Sequence, residues 1–167
     1  MRLAALLIAL GVILTASPAR ANFVGQDYED WAYYQTTGWW LNCQAMATGP
    51  AGYSISLKSQ IDTQSGAADS EFFLYSKQLS GITAGRESLD VLIVFDGGET
   101  REVTLSVARP TKARLEIGAD WPLIADFLWR GEAVLYAVPG RRIDSFSLQG
   151  AQAAIGRWQA CLSDNSR

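Results

Sequence analysis

The side chains through which this chain could do chemistry are few. It contains no histidine, two cysteines and 17 acidic residues. The lack of histidine removes the Ser-His-Asp arrangement, the Cys-His pair and the histidine zinc motifs together. Cys43 and Cys161 are the two cysteines. If they are bonded, no thiolate nucleophile remains, and two sulfur ligands alone make a poor zinc site. No Gly-x-x-x-x-Gly-Lys loop is present, and Gly97-Gly98 falls in a predicted hairpin turn rather than before a helix. Two catalytic routes stay open. One is a Ser–Lys dyad using Lys58, Lys77 or Lys112, although each lysine sits in a polar strand or loop context that suits solvated surface. The other is a carboxylate pair of the kind glycosidases use, which depends on spacing in space rather than in sequence. No catalytic residue, cofactor or metal is therefore assigned, and a non-catalytic protein is expected over an enzyme.

Binding chemistry is better supplied. Six tryptophans, at 31, 39, 40, 121, 129 and 158, are many for a chain of this length. Trp39, Trp121 and Trp158 fit the core faces of predicted elements. Trp39 and Trp40 are adjacent, so within a strand they point to opposite faces. Trp39 shares its phase with Leu41 and Cys43, which leaves Trp40 outward. Trp40, Trp31 and Trp129 are the candidate binding surface. Asp27, Glu29 and Asp30 form an acidic trio in a stretch that reads as a solvated N-terminal arm or short helix.

The first residues read as a leader. Arg2 gives a positive end, Leu3–Leu14 is almost wholly apolar, and Ala19-x-Ala21 places small residues before a cleavage point. Twelve apolar residues are too few to cross about 30 Å of hydrocarbon. Cleavage after Ala21 is expected, with residues 1–21 a signal peptide and 22–167 a single domain that keeps no membrane anchor. The destination is the periplasm or beyond it. Without Arg2 and Arg20, twelve basic side chains face 17 acidic ones, a net of −5. That balance lacks the basic footprint of a nucleic-acid binder. An oxidising compartment favours a Cys43–Cys161 disulfide.

The patterning is mainly β. Alternating runs include Tyr53-Ile55-Leu57, Leu89-Val91-Ile93-Phe95 and Val103-Leu105-Val107, with Glu102, Thr104 and Ser106 on the opposite face of the last. Strands are also predicted over 38–45, 71–76, 112–117, 133–138 and 143–148. The segments 59–70 and 80–88 read as extended loops. Near 121–130 the period changes to that of a short helix, with Asp120 as cap and Pro122 in the first turn. Ala151, Ala154, Ile155, Trp158 and Leu162 mark one stripe of a terminal helix near 150–162, with Cys161 beside it. About eight strands and two helices predict an antiparallel β-sandwich or partly open barrel.

The layout resembles small exported alphaproteobacterial proteins of the invasion-associated locus B type. The residues that carry the resemblance are Trp39-Trp40-Leu41-Asn42-Cys43, the run of alternating strands, and Phe146-Ser147-Leu148-Gln149-Gly150 leading into an alanine-containing helix. That family usually has more cysteines than the one pair present here. The resemblance implies a non-enzymatic β-sandwich of the envelope and names no catalytic residue. The function expected is a soluble exported binding or accessory protein whose partner is an envelope protein or a glycan. The alternatives are a histidine-free carboxylate hydrolase and a protein inhibitor that uses loop 59–70 or 80–88.

Overall fold

The computed structural model of the protein describes residues 22–118 and 121–165. The expected cleavage after Ala21 and the expected cap at Asp120 lie outside the described residues. Ten strands form: β1 (Asn22–Tyr28), β2 (Trp31–Thr37), β3 (Trp40–Thr48), β4 (Ser54–Asp62), β5 (Ala68–Tyr75), β6 (Ser88–Phe95), β7 (Thr100–Arg109), β8 (Lys112–Glu116), β9 (Glu132–Ala137) and β10 (Arg141–Ser147). Three helices accompany them: α1 (Ser80–Thr83), α2 (Pro122–Trp129) and α3 (Ala151–Asn165). All strand pairs are antiparallel, in one sheet of order β1-β2-β3-β4-β5-β8-β7-β6-β9-β10. The mainly antiparallel β class, the short helix and the terminal helix are as the sequence predicts.

The two strands beyond the expected eight are β1 and β2. Residues 22–37 form a hairpin, not a loose arm or helix, with register from Asn22↔Thr37 to Tyr28↔Trp31. β1 is exposed along almost its whole length, so its pattern carries no buried face for the sequence to reveal. The turn that makes the hairpin places Glu29 at a φ of 52°.

The sheet is open but curls on itself. Edge strand β10 approaches β2 and β3 without forming a ladder. A bulge between Arg142 and Asp144 turns two successive residues, Ile143 and Asp144, inward. The Asp144 carboxylate then accepts hydrogen bonds from the backbone N–H groups of Ala51 at 3.0 Å, Tyr53 at 3.3 Å and Ser145 at 2.9 Å. Any side chain at Gly49 would collide with that carboxylate. A second tie joins the Trp31 indole N–H to the Ser147 carbonyl at 3.0 Å. β10 is thus fastened to the β3–β4 turn through side chains.

Inside the curl lie the predicted apolar faces. Ile55, Leu57, Leu89, Val91, Ile93 and Leu105 are fully buried, and Ala151, Ala154, Ile155 and Trp158 of α3 complete the core. Val103 and Val107 share the face of Leu105 but are half-buried, while Glu102, Thr104 and Ser106 are exposed. α3 packs on β2, β3 and β4, and α2 packs on α3. Phe127 of α2 meets the rings of Trp31, Phe72 and Phe95 at 6.2, 6.2 and 5.8 Å. The Cys43–Cys161 disulfide ties β3 to α3, with Cα atoms 6.4 Å apart. Gly97 and Gly98, at φ 93° and 87°, make the β6–β7 turn that both positive angles require.

Neither segment expected as an extended loop protrudes. β4 and β5 pair as far as Ile61↔Ala68, so 59–70 is mostly ladder with a tight turn. The segment after β5 is a short 3-10 turn and α1, which bury Leu79, Ile82 and Thr83.

Candidate functional site

Residues paired across an antiparallel ladder share a face, so the register lays out the outer surface of β3, β4, β5 and β8 in rows. One row runs Asn42–Gln60–Asp69, the next Gln44–Lys58–Glu71–Glu116. Then come Met46–Ser56–Phe73–Arg114 and Thr48–Ser54–Tyr75–Lys112. Two shallow hollows lie on this surface and share Lys58. The first, of about 370 Å³, is lined by Gln60, Asp69, Glu71, Arg114 and Glu116 among others. The second, of about 380 Å³, is lined by Gln44, Met46, Ser54, Ser56, Phe73, Tyr75 and Lys112.

The two hollows differ in sign. In the first, Arg114 forms an ion pair with Glu71, and Asp69 and Glu116 stand beside it. In the second, the Lys112 ammonium lies 3.6 Å from the centre of the Phe73 ring, a cation–π contact. Burial holds the Lys112 amine below the ordinary lysine range, and the nearby Lys58 charge adds to this. Arg109 and Arg114 push the same way, while Glu71 opposes them.

At the other side of this face is an aromatic corner. Trp40 is 44 % exposed on the same face as Asn42 and Gln44. Phe23 of β1 is 66 % exposed and stacks on Tyr34 of β2, ring centres 5.8 Å apart. Trp39 is 78 % exposed, which corrects its expected core position. Its phase with Leu41 and Cys43 has no force because β3 begins at Trp40, and Trp39 lies in the β2–β3 bend. The Thr63 hydroxyl donates to the Trp39 carbonyl at 3.0 Å and pins the bend to the β4–β5 turn. Opposite Trp40, the Asp62 carboxylate accepts from the N–H groups of Gln64 and Ser65 at 2.7 and 3.2 Å. These bonds hold its pKa below the usual carboxylate range.

The three tryptophans chosen as a surface do not come together. Trp40 belongs to the corner just described. Trp31 is 2 % exposed and is corrected to a core residue, its ring packed on Phe127 and its N–H spent on Ser147. Trp129 is exposed but ends α2, where the neighbouring Arg130 pairs with Glu99 at the β6–β7 turn. Strands β5 and β8 separate that region from β3 and β4 in the sheet.

The catalytic routes can be read against this geometry. Lys58 and Lys112 line one hollow with Ser54 and Ser56, yet no hydrogen bond joins a lysine to a serine among the described residues. Glu71 and Glu116 are cross-strand neighbours, but the hollow is open and Glu71 is engaged by Arg114. A carboxylic acid acting as proton donor near neutral pH needs shielding from solvent, which this hollow does not provide. Among the described residues, no group of three or more His, Cys, Asp or Glu side chains is arranged to hold a metal ion.

Phe23, Trp39 and the Lys58–Lys112 pair escaped the sequence reading. The lysines line one hollow because β8 pairs with β5, strands far apart in sequence, and no local pattern encodes that register. No protein-family model matches this chain, and neither the curated proteins nor the solved structures contain a match to it.

Proposed function

We propose that this is an exported, soluble binding or accessory protein of the bacterial envelope, acting through a surface and not by catalysis. The observation that carries the proposal is the aromatic corner. Phe23, Trp39 and Trp40 are exposed within the β1–β3 region, and of the other large apolar side chains exposed among the described residues, Val24, Tyr75, Trp129 and Val138, only Val24 belongs to that region. Such a cluster is the usual mark of a binding surface. The amides of Asn42 and Gln60 lie on the same face beside Trp40. Flat rings next to planar amides suit a glycan, whose C–H faces stack while its hydroxyls bond. The resemblance to the invasion-associated locus B type supports an envelope role. The Cys43–Cys161 bond supports an oxidising destination, and no helix among the described residues is long and apolar enough to cross a membrane.

Two measurements test this. Protein recovered from its native cell should begin at Asn22, and intact Met1 in a membrane fraction would overturn export. Retention on purified envelope polysaccharide should fall at least about five-fold in Trp40→Ala while its unfolding midpoint stays put, the loss of one stacking contact being worth about 1 kcal/mol. Unchanged retention by a folded variant would remove Trp40 from the site. Asp69, Glu71 and Glu116 in one hollow are the observation that favours the carboxylate-hydrolase alternative. Release of reducing ends from the same polysaccharide, abolished by Glu116→Gln, would put that alternative in place of binding.

A further inference from the structure

Two of the chain's three lysines, Lys58 and Lys112, line one hollow of about 380 Å³ on the outer face. Neither forms an ion pair among the described residues. The nearest acid across the ladder, Glu71, is bound by Arg114. The protein as a whole is acidic, with a net charge of −3. Two unpaired ammonium groups at one hollow of an acidic protein are therefore a local reversal of sign. Like charges around one hollow repel, and the Lys58 charge acts on Lys112 in this sense, so an anion bound there relieves an unfavourable arrangement as well as making new contacts. Ser54, whose hydroxyl is shared with that of Thr48, and Gln44, whose amide donates to the Met46 sulfur, also line the hollow, and Met46, Phe73 and Tyr75 give it apolar surface.

We propose that this hollow is an oxyanion subsite, taking a carboxylate or phosphate group carried on a ligand with an apolar flank. The lysines hold the oxyanion, and Met46, Phe73 and Tyr75 receive the flank. Lys112 already lies over the Phe73 ring, so the ring keeps the ammonium in place and limits the freedom lost on binding. The subsite involves none of Phe23, Trp39 or Trp40, and it stands whether or not the aromatic corner binds a glycan.

The test is an amide NMR titration of the disulfide-bonded protein with phenyl phosphate, benzoate, inorganic phosphate and benzyl alcohol. Phenyl phosphate or benzoate should shift amides at 54–58, 73–75 and 112–114 saturably, and the tighter of the two identifies the oxyanion. That ligand should bind about ten-fold more tightly than inorganic phosphate and than benzyl alcohol. The Lys112 amine should titrate at higher pH in the complex. The double variant Lys58→Gln/Lys112→Gln should weaken binding about ten-fold or more, with Lys77→Gln and Trp40→Ala leaving it unchanged. Each of these factors corresponds to about 1.4 kcal/mol. Undiminished binding by the folded double variant would overturn the subsite. If that variant fails to fold, equal affinity of the wild-type protein for benzyl alcohol and the anions would overturn it instead. Inorganic phosphate binding as tightly as phenyl phosphate would overturn the apolar flank.

Discussion

Strand β4 presents two surfaces made by the same nine residues. Its inner side, Ile55, Leu57 and Ile61, is sealed by α3 and the facing strands. Its outer side carries Ser54, Lys58 and Gln60 and borders both hollows. The inner surface is apolar except for Ser59, whose hydroxyl pairs with that of Ser70, and its role is stability. The outer surface varies row by row, from aromatic corner to carboxylates to lysines, and recognition is the role proposed for it. Substitutions on the two sides should therefore separate cleanly in their effects.

The largest expected effect is on the inner side. Reduction of Cys43–Cys161 releases a constraint spanning 118 residues, which the chain-entropy model values at about 4–5 kcal/mol. Chemical denaturation with and without reductant measures it, and hydrogen exchange should show α3 fraying before the sheet. A reduced protein of unchanged stability would mean that packing alone secures α3. Next, Leu105→Ala should cost about 2–5 kcal/mol, while Thr104→Ala, on the exposed side of the same strand, should stay within about 0.5 kcal/mol. Equal effects would erase the distinction between the two sides of β7.

Asp144 sharpens the contrast, because it is the one charged residue buried among the described residues. It is 3 % exposed and accepts backbone N–H groups from two strands' connecting turn. Asp144→Ala leaves the Ala51 and Tyr53 donors without their acceptor and should cost about 1–3 kcal/mol. Amide exchange at Ala51 and Tyr53 should rise with it; unchanged protection there would show that the clasp does not hold β10. Smallest in stability is Trp40→Ala, where the loss belongs to ligand retention alone.

The inner side was largely legible beforehand. Leu89, Val91, Ile93 and Phe95 alternate, and all four are buried. The stripe of α3 and the cysteine pairing follow from spacing and from the count of cysteines. Strand β1 was not legible, because a strand with both faces in solvent has no apolar period to detect. Trp39 and Trp31 were misplaced for related reasons. Trp39 was given a strand's phase one residue before its strand begins. Trp31 was placed in a supposed arm, and only the β1–β2 hairpin carries it into the core.

By itself, then, the sequence determined what must leave water: the two-residue period of the strands, the stripe of α3, and one covalent tie between them. Burial acts on each element locally, so it is written in local pattern. The curl of the sheet depends on a bulge at β10 and on one carboxylate reaching the β3–β4 turn, contacts 91 and more residues apart. The candidate sites depend on β8 joining β5 and on β1 joining β2. Which solvated side chains become neighbours is set by register between strands. Register on an exposed face has no burial energy of its own to reveal it, so only the tertiary structure decided that Lys58 and Lys112 line one hollow and that Trp39 lies in solvent.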